Sequence, residues 1–304
     1  MTTRDLEIFM TVVDCGTMSE AARMLYITQS SVSQAVASIE KEYGIILFER
    51  LSHNLYLTEA GRELLAYARN LTTIKNNMNE FLQNASGIKT LKIGATVTVG
   101  TCVLCPILEN VKKEHEGLVL EVSVANTHVL EDKLLKNQID IGLVEGRVSG
   151  RDLISEDVIE DELLLACPEG HRFYGRNSVR AEELKNENLI LRELGSGTRA
   201  LFEDQMNALG IPITVGWNCC NSEAIKNAVV AGNGITVISR RLIENELKSG
   251  KLWGCTIEGI ELRRHFAMVY HKTKYLSEEI KCFMNMSRSF GENEVVLANT
   301  NGNY

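Results

Sequence analysis

The sequence predicts two kinds of architecture in one chain. The first is an N-terminal module, rich in α-helix, that ends in a long linker helix; the second is a C-terminal α/β region made of two similar lobes. Three observations lead there. Up to Leu57, apolar residues recur at helical spacing between glycine stops; from Leu57 to Phe81 they repeat in heptads; beyond Gly87, short apolar runs alternate with amphipathic ones. The chain has 304 residues, 44% of them hydrophobic, enough for two or three cores at roughly 100–200 residues per domain.

Leu6, Phe9 and Val13 share one face of a first helix, which Gly16 stops. Thr17 and Ser19 offer caps for a second, short helix whose inner face is Ala21, Ala22 and Leu25, residues small enough for another helix to cross closely. After the connector Tyr26-Ile27, Thr28 caps a third helix from Gln29 to Tyr43, ended by Gly44. Its apolar face is Val32, Val36, Ile39 and Tyr43. The opposite face opens with Gln29, Ser30, Ser31, Ser33 and Gln34. A solvated helix would use Glu and Lys there, because Ser is a poorer helix former. Glutamine can bond adenine bidentately, serine can bond bases or phosphates, and a helix N-terminus attracts phosphate.

Charge argues the other way. The whole chain carries −8, and residues 1–60 hold Arg4, Arg23, Lys41 and Arg50 against Asp5, Glu7, Asp14, Glu20, Glu40, Glu42, Glu49 and Glu59, which is 4 minus 8, or −4. A basic patch is the usual footprint of nucleic-acid binding, so the inference rests on pattern alone.

Leu57, Leu64, Leu71 and Met78 fill one heptad position, and Ala60, Tyr67, Ile74 and Phe81 fill another. That seam is the mark of a coiled coil and predicts a dimerisation helix started by Thr58 and Glu59 and stopped by residues 84–87. Its length is on the order of 40 Å at 1.5 Å per residue.

In the C-terminal region, residues 91–96, 118–125 and 139–144 read as strands, with helices through Leu104, Leu108 and Val111 and around 130–135. A second unit has strands at 163–167, 189–191, 213–220 and 235–238 and helices at 198–209 and 222–231. The run 264–270 returns to the first lobe before a last helix from Ser277. Such alternation implies parallel sheets, whose ligands sit beyond the carboxyl ends of the strands. Two segments fit that place: Thr96, Thr98, Gly100 and Thr101 in lobe one, and Ser196, Gly197, Thr198 and Arg199 in lobe two. Glycines permit close approach, hydroxyls donate, a helix N-terminus favours an anion and Arg199 adds a charge. Together they predict a shared anion site. Asp140 and Glu145 flank a lobe-one strand, where they could hold the lobe interface or an effector amine; a structural role is the expectation.

The segment Phe9, Thr17, Ala21-Ala22, Leu25, Thr28-Gln29-Ser30, Val32-Ser33-Gln34, Ile39-Glu40, Gly44, Leu47-Phe48-Glu49-Arg50 and Leu57-Thr58-Glu59-Ala60-Gly61 closely resembles the winged helix-turn-helix of LysR-type transcriptional regulators. The resemblance implies a third helix in the major groove, a wing against the DNA backbone, and a two-lobed sensor of the periplasmic-binding-protein type. It implies domains at 1–57, 58–87, 88–161 with 266–304, and 162–265. The segments around Thr96 and Ser196 resemble effector contacts of that family, and Thr127 resembles a third. Family wings usually carry further arginines, whereas this one reads Leu51-Ser52-His53-Asn54-Leu55-Tyr56, leaving Arg50 as the main backbone anchor and His53 and Asn54 as weaker contacts. The expected partners are two-fold double-stranded DNA, a small anionic effector, RNA polymerase, and further copies of the chain as a homodimer or homotetramer.

Competing readings are a solute-binding protein dimerised by its N-terminal helices and a thiol redox sensor. Eight cysteines, including Cys102 and Cys105 and the vicinal Cys219 and Cys220, are expected to be reduced and mostly buried. Neither a bilayer-spanning run nor a signal-peptide pattern is visible, so a cytoplasmic location without membrane association is expected. His115, His128, His171, His265 and His271 are scattered singly, and no catalytic, metal or cofactor motif is present.

Overall fold

Threonine caps and left-handed glycines define the first three helices. The computed structural model describes the backbone of residues 1–51, 54–84, 89–146 and 148–301; side chains 50, 51, 54, 73, 77, 80, 81, 83, 84 and 293–301 are outside the described set. Helix α1 (Thr3–Cys15) starts in a reciprocal capping box between Thr2 and Asp5, α2 (Met18–Met24) is capped by Thr17, and α3 (Gln29–Tyr43) by Thr28. Gly16 and Gly44 close α1 and α3 with φ of 73° and 68°, a conformation costly for any residue with a Cβ. Phe9, Val12, Ala21, Val32, Val36, Ile39, Leu47 and Phe48 form their core. Tyr43, expected on the apolar face of α3, lies at its last turn and is exposed.

A hairpin of β1 (Phe48–Leu51) and β2 (Asn54–Leu57) follows, pairing Phe48 with Leu57. Glu40 on α3 accepts the Leu47 amide at 2.8 Å, tying the hairpin to the third helix. Helix α4 (Glu59–Asn84) then begins where Thr58 accepts the Gly61 amide. Leu57 and Leu64 were expected in the heptad seam. Leu57 is instead a strand residue, and both pack on the core of their own unit. The first heptad is spent on folding the module, so the solvent-facing stripe starts later, at Tyr67, Leu71, Ile74 and Met78. The Phe81 side chain lies outside the described residues. Met1–Gln83 and Asn84–Tyr304 form separate compact units.

In the second unit β3 (Thr90–Ala95) pairs in parallel with β4 (Val119–Val124) and with β5 (Ile141–Glu145). Between them lie α5 (Val97–Cys102), α6 (Leu104–Glu114) and α7 (Thr127–Leu135). Strand β6 (Leu153–Pro168) is far longer than the expected 163–167. Its acidic first half is exposed or half-buried except at Ile159, without the continuous apolar run that marks its second half.

The second lobe contains β7 (Ser178–Arg180), β8 (Asn188–Arg192), α8 (Gly197–Ala208), β9 (Thr214–Cys219), α9 (Ser222–Val230), β10 (Thr236–Ser239), α10 (Glu244–Lys248) and β11 (Leu252–Glu258). Strand β12 (Arg263–His271) returns to lobe one, and α11 (Glu278–Asn301) closes the fold. Here β8 and β9 pair in parallel, and an isolated bridge joins Leu189 of β8 to Ile235. The parallel pair β8–β9 repeats β3–β4. Strand β6 serves both lobes: its residues 153–162 pair with β12, 163–166 with β10 and 165–168 with β11. The β-sheet framework is therefore continuous from one lobe to the other.

Asp140 is a strut. Lys274 lies 2.5 Å from one of its carboxylate oxygens and the Lys92 amide donates to the other at 2.7 Å, with both ionic side chains buried. Removing one partner of a buried pair leaves an uncompensated charge. Lys274→Met is expected to lower unfolding free energy by about 3–5 kcal/mol in urea denaturation; a loss below about 1 kcal/mol would remove the strut assignment.

Candidate effector seam and DNA-reading face

The register of β12 builds the seam between the lobes. Arg264 stands directly opposite Asp161 on β6, and Phe266, two residues on, stands opposite Glu145 on β5. Residues two apart on a strand share a face, so Arg264 meets Asp161 across the ladder and Glu145 diagonally. Arg264 Nε donates to Asp161 Oδ2 at 2.8 Å. Its Nη1 donates to Thr198 Oγ1 of lobe two at 3.0 Å, and its Nη2 lies 2.7 Å from Glu145 Oε2 of lobe one. That last contact joins opposite charges without hydrogen-bond alignment.

Three of the sequence-predicted residues converge on Glu145. Thr96 Oγ1 accepts its amide at 3.2 Å, Thr127 Oγ1 donates to its carbonyl at 2.5 Å, and Gly197 packs against that carbonyl. A Cβ on Gly197 would stand 2.5 Å from Glu145 O and 3.1 Å from Gly146 Cα, so the start of α8 rests backbone-to-backbone on the end of β5. Ser196 is the N-cap of α8 yet makes no side-chain cap bond; its Oγ is buried without a partner among the described residues, as is Thr98 Oγ1.

The remaining predicted residues are placed elsewhere. Arg199 donates to Glu203 at 2.7 Å, to the Arg192 carbonyl and to Asn218, so its charge is committed within lobe two. Gly100 allows α5 to pack on Val124, where a Cβ would meet the valine methyl at 3.2 Å. Thr101 is exposed and bonds back to Val97 O.

Arg192, Arg241, Arg264, Asp161 and Glu193 were missed in the sequence. Arg192 grips Glu193 through two bonds of 2.8 and 3.0 Å and lies 4.0 Å from Glu145. Asp161 accepts from Ser239 at 2.6 Å, with Arg241 at 3.4 Å. One signal was available: Arg264 shares a strand face with the buried Phe266, where an unpaired arginine is not tolerated.

On the first unit, Gln29, Ser30, Ser31 and Gln34 are exposed at the start of α3, and Ser33 is half-buried. Thr28 Oγ1 lies 2.8 Å from both the Ser30 and the Ser31 hydroxyls and accepts the Ser31 amide. Tyr26, in the connector before α3, is 96% exposed with φ of 54°, which sets its phenol out beside the start of α3. Arg4, Arg23, Arg69 and Lys75 are paired with Glu7, Glu20, Asp14 and Glu7, which further weakens the positive field. The side chains of Arg50 and Asn54, and the whole of His53, lie outside the described residues.

The model of bacterial regulatory helix-turn-helix proteins of the lysR family matches residues 3–62, and that of the LysR substrate binding domain matches 85–291. This chain is a LysR-type transcriptional regulator. The regulator is 32% identical to the RuBisCO operon transcriptional regulator of Allochromatium vinosum, covering 92% of this chain and 93% of that one. It is also 32% identical to the uncharacterized HTH-type transcriptional regulator YeiE of Escherichia coli K12, covering 94% and 96%. Its fold matches the regulatory domain of CcmR from Synechocystis PCC6803 in complex with 2-PG, with a TM-score of 0.63 and 21% identity over 67% of this chain and 98% of that one. The N-terminal unit is thus a DNA-binding winged helix-turn-helix, the C-terminal one an effector-binding domain, and the protein a regulator rather than an enzyme.

Thiol chemistry has little support at the seam. Burial pushes the Cys102 thiol up to about 11, Cys167 to about 12 and Cys255 to about 11, so all three are protonated at neutral pH. Iodoacetamide at pH 7 is expected to modify the exposed Cys105 and Cys220 and to spare these three, as read by peptide mass spectrometry. Rapid modification of Cys102 would restore the redox-sensor reading.

Proposed function

We propose that this regulator reads a two-fold operator through Gln29, Ser30, Ser33 and Gln34 and responds to a small anionic effector held between the lobes of its C-terminal unit. The observation that carries the effector half is the pair of buried hydroxyls without a partner among the described residues, Thr98 Oγ1 and Ser196 Oγ. A buried hydroxyl without a partner is costly unless a ligand completes it. Ser196 also heads α8, whose first amides and dipole favour an oxyanion. A domain of this fold, the regulatory domain of CcmR, holds 2-PG, which supports a small-molecule effector here. Binding would shift the population between two lobe arrangements and so change operator bending and polymerase contact, because a ligand can bias only states it binds unequally.

The exposed stripe Tyr67, Leu71, Ile74 and Met78 on α4 follows i, i+4, i+7 and i+11 spacing and supports a homodimer through paired helices. Two recognition helices on one dimer offset the weak field of each acidic half by avidity. A cytoplasmic location follows from this role.

Gln29→Ala is expected to weaken operator binding by about 1–3 kcal/mol in fluorescence anisotropy, the cost of a lost bidentate base contact; unchanged binding would remove Gln29 from the readout. Combining Thr98→Val with Ser196→Ala should abolish the thermal shift produced by acidic metabolites while leaving operator affinity intact. Equal shifts in wild type and variant would refute the effector site. Ile74→Asp should yield monomers by analytical ultracentrifugation at concentrations where the wild type is dimeric.

A further inference from the structure

An oxyanion that is to pair with an arginine needs one that is free to receive it, and among the described residues the seam offers none. Among the described residues, Arg192, Arg241 and Arg264 face Glu145, Asp161 and Glu193, three charges against three. An oxyanion that pairs with one of these arginines therefore competes with a resident carboxylate. The three carboxylates are held very differently. Asp161 accepts aligned bonds from Ser239 and Arg264 and lies close to Arg241. Glu193 takes two aligned bonds from Arg192 and the Asn126 amide at 3.4 Å. Glu145 is held by its backbone, through Thr96 and Thr127, and its carboxylate by one close ionic contact, Oε2 at 2.7 Å from Arg264 Nη2. Its side chain is 2% exposed, yet its Oε2 accepts no aligned hydrogen bond and its Oε1 lies 4.0 Å from Arg192. Arg264 Nη2, which lies between it and Asp161 Oδ2 at 2.7 and 2.8 Å, likewise makes no aligned bond among the described residues. Buried ions are stable when their hydrogen bonds are complete, and this pair leaves both partners incomplete.

We propose that Glu145 is a built-in counter-anion: the acid group of the effector takes its place on Arg264 and Arg192, and the Glu145 carboxylate leaves the seam. This rests on the effector reading above and specifies its chemistry as an oxyanion, a carboxylate or phosphate able to bridge two guanidinium groups. It also sets a threshold. The effector competes with a ligand already tethered at the site, so affinity is held below what two arginines and two hydroxyls would give. When Glu145 departs it releases the side chain beside the Gly146–Gly197 contact, which couples occupancy to the closeness of the lobes.

The test uses the full chain and inorganic phosphate as probe, with malonate as the carboxylate counterpart and potassium chloride at matched ionic strength. Glu145→Gln removes the competing charge and nearly keeps its shape. Phosphate or malonate is expected to bind this variant at least about tenfold more tightly than wild type by calorimetry, the scale of one charge-assisted contact. Its melting temperature should fall in anion-free buffer and recover with phosphate but not with chloride. If the variant does not fold without anion, recovery of folded protein on adding phosphate is the readout. Unchanged phosphate affinity, or no recovery, overturns the exchange while leaving the effector site standing if the wild type binds either probe. No binding by wild type or variant overturns both.

Discussion

Arg264 is the group through which the two lobes share one electrostatic problem. It enters on β12, where the strand crosses from lobe two to lobe one, and it faces Asp161 on the strand that both lobes use. Three directions of its guanidinium are spoken for: Asp161 on the shared strand, Thr198 at the start of α8, and Glu145 at the end of β5. A guanidinium cannot shed its charge at physiological pH, and it is planar, so its partners must come to it in fixed directions. The positions of α8 and β5 follow from that demand. So does the absence of a side chain at Gly197, since any Cβ would part the two backbones that Arg264 brings together.

The energetic balance of the seam is unlike that of the two hydrophobic cores beside it. Those cores bury Leu, Ile, Val and Phe, and they hold regardless of what is bound. The seam buries ions whose pairing is only partly aligned. Such an arrangement has more than one acceptable solution, which is what a sensor requires: two states of similar free energy that a ligand of modest affinity can distinguish. The N-terminal unit works under another constraint. Its acidic charge gives little attraction to phosphate, so on the proposed reading discrimination falls to neutral groups at the start of α3 and to the pairing of two such units.

Much of this was legible from local chemistry. Thr17, Thr28, Gly16 and Gly44 announced helix ends because caps and left-handed turns act within a few residues. Most strands were visible as short apolar runs, but the sheet framework expected to be parallel is mixed, because the strands that cross between the lobes, β6 and β12, pair antiparallel with each other and with β5, β10 and β11. The first half of β6 was hidden because its exposed face is dense with Asp and Glu, and β11 because Trp253, Gly254 and Cys255 break the usual alternation. The seam was half legible: Thr96 and Gly197 were found from turn and cap chemistry and Thr127 only through the family resemblance, but Arg264, Asp161 and Arg192 come from distant parts of the chain. No local pattern brings them together; only the register of β6 against β12 does. Arg199 misled for the same reason, since nothing nearby in sequence shows that Asn218 and Glu203 will claim it.

The continuity of β6 has a consequence for how this protein could arise or be divided. Its first ten residues complete one lobe and its last six complete the other, as the pairings with β12, β10 and β11 require. Cutting the chain between them would leave each half with a bare sheet edge, open to pairing with any other strand. The lobes resemble a duplication, yet neither is an independent module that recombination could exchange alone. If the effector binds as proposed, specificity in such a fold changes by substitution along the seam, where a few ionic residues would set the fit of the ligand as well as the cohesion of the lobes.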